Sequence, residues 1–233
     1  MKNNSNNKTF LFINLKKFQI IVLDDLNEVI FKKELLLKPS SEKFDFVLFD
    51  DFINQNIFKI EKELNEFIKF IFIIIDHNDI FSVNLSIKNK INDVPLNTNL
   101  INNLLVEAKS CCRETLEKLD VMHMKIDQFY VDNDIYKTFP DNIRYKDLSV
   151  DLSFICIPKN FLQNLEKVLK KYQISIVKIL SYQYLNSFID ISGNEPGLVS
   201  KKILTGFNEN EVIFTSKVLR NQSFFERFFN FFN

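Results

Sequence analysis

Residues 70–75 read FIFIII, six apolar side chains with no polar break. Successive side chains of a β-strand point to opposite faces of its sheet. A strand that is apolar at every position is therefore expected to be buried on both faces, as the strands of α/β proteins are. The longer run FIKFIFIII, residues 67–75, contains Lys69 and is far shorter than the roughly 20 residues of a membrane-spanning helix.

The flanking sequence supplies partners for this strand. Residues 9–23, TFLFINLKKFQIIVL, read as a strand, a polar turn and a second strand. Residues 28–37, EVIFKKELLL, add a third, and Pro39-Ser40-Ser41 closes the meander. Asp50 or Asp51 is placed to cap a helix over 52–68. Its apolar residues Phe52, Ile53, Ile57, Ile60, Leu64, Phe67 and Ile68 keep helical spacing. Downstream, DIFSVNLSI (79–87) alternates as a strand, and Thr98 opens a helix with Leu100, Ile101, Leu104, Leu105, Ala108, Cys111, Cys112, Thr115 and Leu116 along one stripe. VMHMKIDQFYV (121–131) and LSVDLSFICI (148–157) read as strands separated by a loop. Pro158 and Asn160 introduce a helix that buries Phe161, Leu162, Leu165, Val168 and Leu169, and ISIVKIL (174–180) is the strand that follows. From Gly193 to Arg220 no strong periodicity is visible, and this stretch reads as partly linker.

Formal net charge over the 233 residues is zero and the basic residues are scattered, so nothing points to nucleic acid. Cys111, Cys112 and Cys156 lack metal-ligand spacing and are expected to be buried free thiols in a reducing compartment. The polar start MKNNSNNKTF lacks the apolar core of a signal peptide, so a cytoplasmic or peripheral-membrane location is expected. His77 and His123 have no plausible partner in sequence, and a structural role is the physical default. Asp24-Asp25 sit in a hairpin turn, and Lys167, Lys170 and Lys171 complement a helix dipole. No nucleophile–base pair and no metal set is visible, so no catalysis and no cofactor is expected.

The chain closes on SFFERFFNFFN. At about 100° per residue, Phe224, Phe225, Phe228, Phe229, Phe231 and Phe232 fall within an arc of roughly 160°. Arg227, with Arg220 and Lys217 just upstream, gives the segment a modest positive balance. Such a helix can lie in a membrane interface with its basic residues near anionic headgroups, or it can dock on the protein's own core.

Several stretches, in order, resemble the actin-like cell-division family of FtsA. TNLINNLLVEAKS (98–110) is similar to that family's helix ending in an Ala-Lys pair. VMHMKIDQFYVD (121–132) resembles its strand with a Leu-His-Val start, a Gln-Glu-Tyr core and a closing Asp. Residues 148–180 look like the strand, turn, helix and strand that complete its inserted subdomain, and 44–68 stands where the preceding helix belongs. The resemblance covers about 180 residues and is best from 98 to 180. It implies an α/β chain in which 8–78 is a partial actin-like (ribonuclease H-like) subdomain and 79–180 an inserted strand–helix–strand–strand subdomain. Residues 181–222 would be a return segment and linker, and 223–233 a C-terminal amphipathic helix that binds membrane, as the family's terminal helix does. The implied function is a non-catalytic adaptor tethering division proteins to the cytoplasmic membrane, peripheral on its inner face at the division site, with a homo-oligomer among its possible partners. An actin-like ATPase of pilus or secretion assembly is the alternative, and a soluble binding module with a self-docked tail is another.

The same resemblance marks where chemistry departs. The family's first phosphate loop has the form Asp-x-Gly-Thr, whereas FINLKKF puts Asn14, Lys16 and Lys17 there. A phosphate loop needs glycine so that backbone can approach the phosphate oxygens, and no glycine precedes Gly193. DISGNEPG (190–197) matches the second loop only at Asp190 and Gly193. The length also leaves no room for the second actin-like domain, so a reduced or truncated form is expected, and the amphipathic tail favours reduction.

Overall fold

A computed structural model describes residues 7–38, 43–140, 143–189 and 195–213. The element order is β1 (Lys8–Asn14), β2 (Lys17–Leu23), β3 (Val29–Leu36), α1 (Phe46–Leu64), β4 (Phe70–Asp76), β5 (Phe81–Pro95), α2 (Thr98–Thr115), β6 (Leu119–Val131), β7 (Asp134–Tyr136), β8 (Arg144–Pro158), α3 (Lys159–Lys170), β9 (Ser175–Ser181), α4 (Tyr182–Asn186) and α5 (Pro196–Leu204). They form two sheets. The main sheet has the order β3-β2-β1-β4-β9, and the inserted sheet β5-β8-β6-β7.

In the main sheet β1, β2 and β3 form an antiparallel meander, while β4 runs parallel to β1 and β9 parallel to β4. The FIFIII strand is covered on both faces. Ile71, Ile73 and Ile75 join the layer under α1 and α3, with Phe49, Ile53, Ile60, Leu165 and Leu169. Ile74 joins the opposite layer with Phe10, Phe12, Leu180, Tyr184, Val199 and Ile203, beneath α4 and α5. Phe70, at the strand's start, stays 55% exposed. An antiparallel meander followed by parallel strands, with helices on both faces, is consistent with the partial actin-like (ribonuclease H-like) subdomain that the sequence resemblance implies.

The inserted unit is a strand, a helix and two long strands, with the short β7 added. All its pairings are antiparallel. Helix α2 covers one face, burying Ile101, Leu104, Leu105, Ala108 and Cys112 against Val150, Leu152 and Phe154. The other face is polar, because Asn84, Ser86 and Lys88 pair across to Ser153, Asp151 and Ser149. The chain is thus a mixed α/β protein with a partial actin-like sheet and a strand–helix–strand–strand insertion.

Four expectations change. Helix α1 starts at Phe46, capped by Asp45, whose carboxylate accepts from the Val47 and Leu48 amides. Phe49 is in phase with Phe52, Ile53 and Ile60, so one extra apolar turn moves the cap five residues ahead of Asp50. The helix ends at Leu64 because Asn65 takes a left-handed conformation, φ 51°. The expected loop 132–147 instead holds β7 and the first residues of β8, which pair with β6 and with a β5 that runs to Pro95. Within the expected linker, Pro196–Leu204 is helical. Finally, Cys111 is exposed, while Cys112 and Cys156 are buried free thiols. Lys217, Arg220, the tail 223–233 with its six phenylalanines and Arg227, and the Asp190 and Gly193 pattern lie outside the described residues.

Candidate functional site

The turn joining β1 to β2 stands where a phosphate loop would be. Its amides are already occupied: Asn14 Oδ1 accepts from the Lys16 amide at 2.9 Å and from the Lys17 amide at 2.7 Å. An Asx turn of this kind satisfies the donors that a phosphate oxygen would otherwise take. Lys17 extends over the Phe12 ring, 5.2 Å from its centroid, and lies 4.0 Å from Glu34. Lys16 is exposed. The turn is closed on itself and needs no anion.

His77, just past β4 beside this turn, is 8% exposed. Its Nδ1 accepts from the Asp79 amide at 3.2 Å, so Nε2 carries the proton in the neutral ring. That N–H has no hydrogen-bond partner among the described residues and sits near the rings of Phe44 and Phe161.

The densest polar cluster lies at the seam between the two sheets. His123 projects from β6 with its side chain fully buried, and Nε2 accepts the backbone N–H of Ser181, at the junction of β9 and α4, at 3.0 Å. With Nε2 an acceptor, Nδ1 carries the proton and donates to Glu211 Oε1 at 2.9 Å. Glu211, whose side chain is 3% exposed, also meets Lys178 Nζ of β9 at 3.3 Å and accepts from the Tyr184 hydroxyl of α4 at 2.9 Å. Tyr184 in turn accepts from Asn208 Nδ2 at 2.7 Å, and its ring lies 4.2 Å from the imidazole.

The electrostatics follow the geometry. Burial pushes His123 below its ordinary value, and the pull of Glu211 only partly offsets this. Burial alone would raise the Glu211 carboxyl; the His123 hydrogen bond, the Lys178 charge and the Tyr184 hydroxyl outweigh it and hold the group below the usual range. Burial also drives the Tyr184 phenol upward. A neutral His123 facing an ionised Glu211 resembles the base and orienter of a catalytic pair. However, Nε2, the atom that would accept a proton, is already held by the Ser181 amide. The pair is therefore built to fasten rather than to transfer protons.

Sequence reasoning placed His123 in its strand but missed its partner. Glu211 lies 88 residues downstream in a stretch without periodicity, and no local signal links the two. Asp50, expected as a cap, instead accepts from the Tyr172 hydroxyl at 2.8 Å and pairs with Lys171, tying α1 to the end of α3. The Lys171 hydrogen bond, then that of Tyr172, lowers its carboxyl. The polar face of the inserted sheet forms an open groove of about 500 Å³ lined by Ser86, Lys88, Lys90, Tyr130, Asp147 and Asp151.

No protein-family model and no curated protein matches this sequence. Among solved structures, it is similar to a chain of a PilM-PilN type IV pilus biogenesis complex at 9% identity and a TM-score of 0.45, covering 78% of this chain and 49% of that one. It is also similar to the cytoplasmic domain of EpsL, an inner membrane component of the type II secretion system of Vibrio cholerae, at 11% identity and a TM-score of 0.34, covering 76% and 56%. A Bacteroides thetaiotaomicron protein with an actin-like ATPase fold and unknown function matches at 10% identity and a TM-score of 0.35, covering 79% and 56%. The chain thus spans about half the length of the structures it matches. The strand order and directions above are consistent with a partial actin-like sheet. Among the described residues, no helix is long and apolar enough to cross a membrane.

Proposed function

We propose that this protein is a non-catalytic actin-like scaffold that docks proteins through its inserted sheet and is held at the cytoplasmic face of a membrane by its phenylalanine-rich tail. One observation carries the nucleotide-free part: Asn14 Oδ1 takes up the Lys16 and Lys17 amides, which are the donors a nucleotide phosphate would need. The docking part draws on the open polar face of Ser, Asp and Lys side chains on a sheet braced from behind by α2. The membrane part rests on the arc formed by Phe224, Phe225, Phe228, Phe229, Phe231 and Phe232, with Arg220 and Arg227 beside it.

Two settings ask this task of an actin-like module. One is a cell-division adaptor, which the sequence resemblance to the FtsA family implies. The other is a pilus or secretion assembly, the setting of the PilM-PilN and EpsL structures. Calorimetric titration with Mg-ATP tests the scaffold reading: no heat of binding is expected below millimolar nucleotide, and a micromolar constant would overturn it. Crosslinking in cells followed by identification of the captured proteins separates the settings, since division proteins in one case and pilus or secretion proteins in the other are the expected partners.

A further inference from the structure

We propose that residues 208–213 form an acid-released latch that fastens the inserted sheet to the main sheet, with the His123–Glu211 pair as its catch. The segment runs antiparallel along the edge of β6 beyond the reach of β7, which covers only Phe129–Val131. Two backbone bonds hold it there: Ile126 N–H to Asn210 O and Val212 N–H to Met124 O, each 2.8 Å. Of its two apolar side chains, Val212 packs partly buried against the core of the inserted sheet, while Ile213 is 47% exposed. The hold is concentrated in one carboxylate. Glu211 gathers His123 from the inserted sheet, and Lys178 and Tyr184 from the main sheet and the helix after it. Asn208 extends the same network to Tyr184.

Acid acts on this arrangement at a defined atom. A second proton on His123 would have to sit on Nε2, which now accepts the Ser181 amide, so two N–H groups would face each other. The charged and titratable groups around the ring are Glu211 on the latch, Lys178 on β9 and Tyr184 on α4, with Lys125 further along β6 paired to Asp127. Glu211 would attract an imidazolium. Full burial, the Lys178 charge and the Ser181 N–H oppose it, and the neutral ring prevails. Because the closed-state value lies below the ordinary 6.5, the histidine stabilises the closed latch above about pH 6.5. That contribution is lost as pH falls from there toward the depressed closed-state value. Glu211 is also depressed, so its contribution holds above its ordinary 4.5 and fades only below it. The interval from pH 7.5 to 5.5 therefore isolates the histidine.

Amide hydrogen exchange on the full chain, corrected for intrinsic rates, tests the latch. An opened His123 with its ordinary value would be about ten-elevenths protonated at pH 5.5, so protection of the Ile126 and Val212 amides should fall from pH 7.5 to 5.5, by at most about ten-fold. The paired amides of β1 and β2 should not change. His123→Asn cannot titrate, and its protection should be flat over that interval. Glu211→Gln should lower protection at both pH values. Equal wild-type protection at the two pH values, or an acid loss undiminished in His123→Asn, overturns the proposal. Should His123→Asn not fold, the imidazole nitrogen shifts of the wild type decide. The Nδ1–H tautomer should persist at pH 7.5 and give way to imidazolium only as the two amides lose protection. An imidazole titrating while both amides stay protected overturns it equally.

Discussion

Leu105 offers the sharpest test of how the inserted unit is built. It lies on α2, 6% exposed, in the core that includes Leu104, Ala108, Val150, Leu152 and Phe154. Replacing it with aspartate removes a buried apolar side chain worth about 1.5–3 kcal/mol. The new carboxyl must then stay neutral at pH 7, about three units above its ordinary value, which costs roughly 4 kcal/mol. The combined loss of about 6–7 kcal/mol is comparable to the whole stability of a typical domain, about 5–15 kcal/mol. Leu105→Asp should therefore lose the folded inserted unit. Leu105→Ala, at about 3–5 kcal/mol, should leave it folded but weakened. The neighbouring Val106 is 57% exposed, so Val106→Asp should fall within about 0.5 kcal/mol of the wild type. Urea unfolding by near-ultraviolet circular dichroism reads both sheets, because Tyr130, Tyr136 and Tyr145 belong to the inserted unit and Tyr172, Tyr182 and Tyr184 to the main one, with no tryptophan to mask them. The Leu105→Asp deficit should narrow at pH 5, where keeping the carboxyl neutral costs less. A Leu105→Asp protein that unfolds like Val106→Asp would refute this placement of the helix face.

Two further perturbations separate closely matched readings. Asp45→Ala should cost about 1 kcal/mol in thermal or urea unfolding through loss of the α1 cap, whereas Asp51→Ala, at an exposed helical position, should cost almost nothing; the reverse order would restore the later helix start. In the tail, replacing Phe228 and Phe229 by serine should remove about 3–6 kcal/mol of interfacial burial and lower co-sedimentation with anionic vesicles by orders of magnitude. Deleting 223–233 should abolish vesicle binding and leave the melting temperature in place; a lowered melt with weak vesicle binding in both forms would show a self-docked helix instead.

Much of the architecture was legible along the chain because it is written in local periodicity. The alternation of β6 and β8, the stripe on α2 that buries Leu104, Leu105 and Ala108, and the unbroken FIFIII strand all reappear in place. The closed β1–β2 turn was legible too, since Asn14 and the missing glycine are local features. Strands whose residues lack a pattern were not. The latter part of β5, running to Pro95, reads KNKINDVP and is a strand because β8 pairs with it. The start of α1 slipped for a related reason: either Asp45 or the Asp50-Asp51 pair can cap a helix, and the packing of Phe49 against Phe18 beneath it selects Asp45.

By itself, the sequence determined the strands and helices that carry a regular apolar period and which faces they bury, because 3.6- and 2-residue periods are properties of neighbours in the chain. It also determined that the first turn holds Asn14, Lys16 and Lys17 and no glycine, because that depends only on which residues occupy a few neighbouring positions. Tertiary structure alone decided the seam. Ser181, Lys178 and Glu211 are 58, 55 and 88 residues from His123, and each has an ordinary surface-residue identity until the two sheets meet. Burial then turns them into one network, because desolvation and hydrogen-bond satisfaction arise only when distant groups are brought together and water is removed.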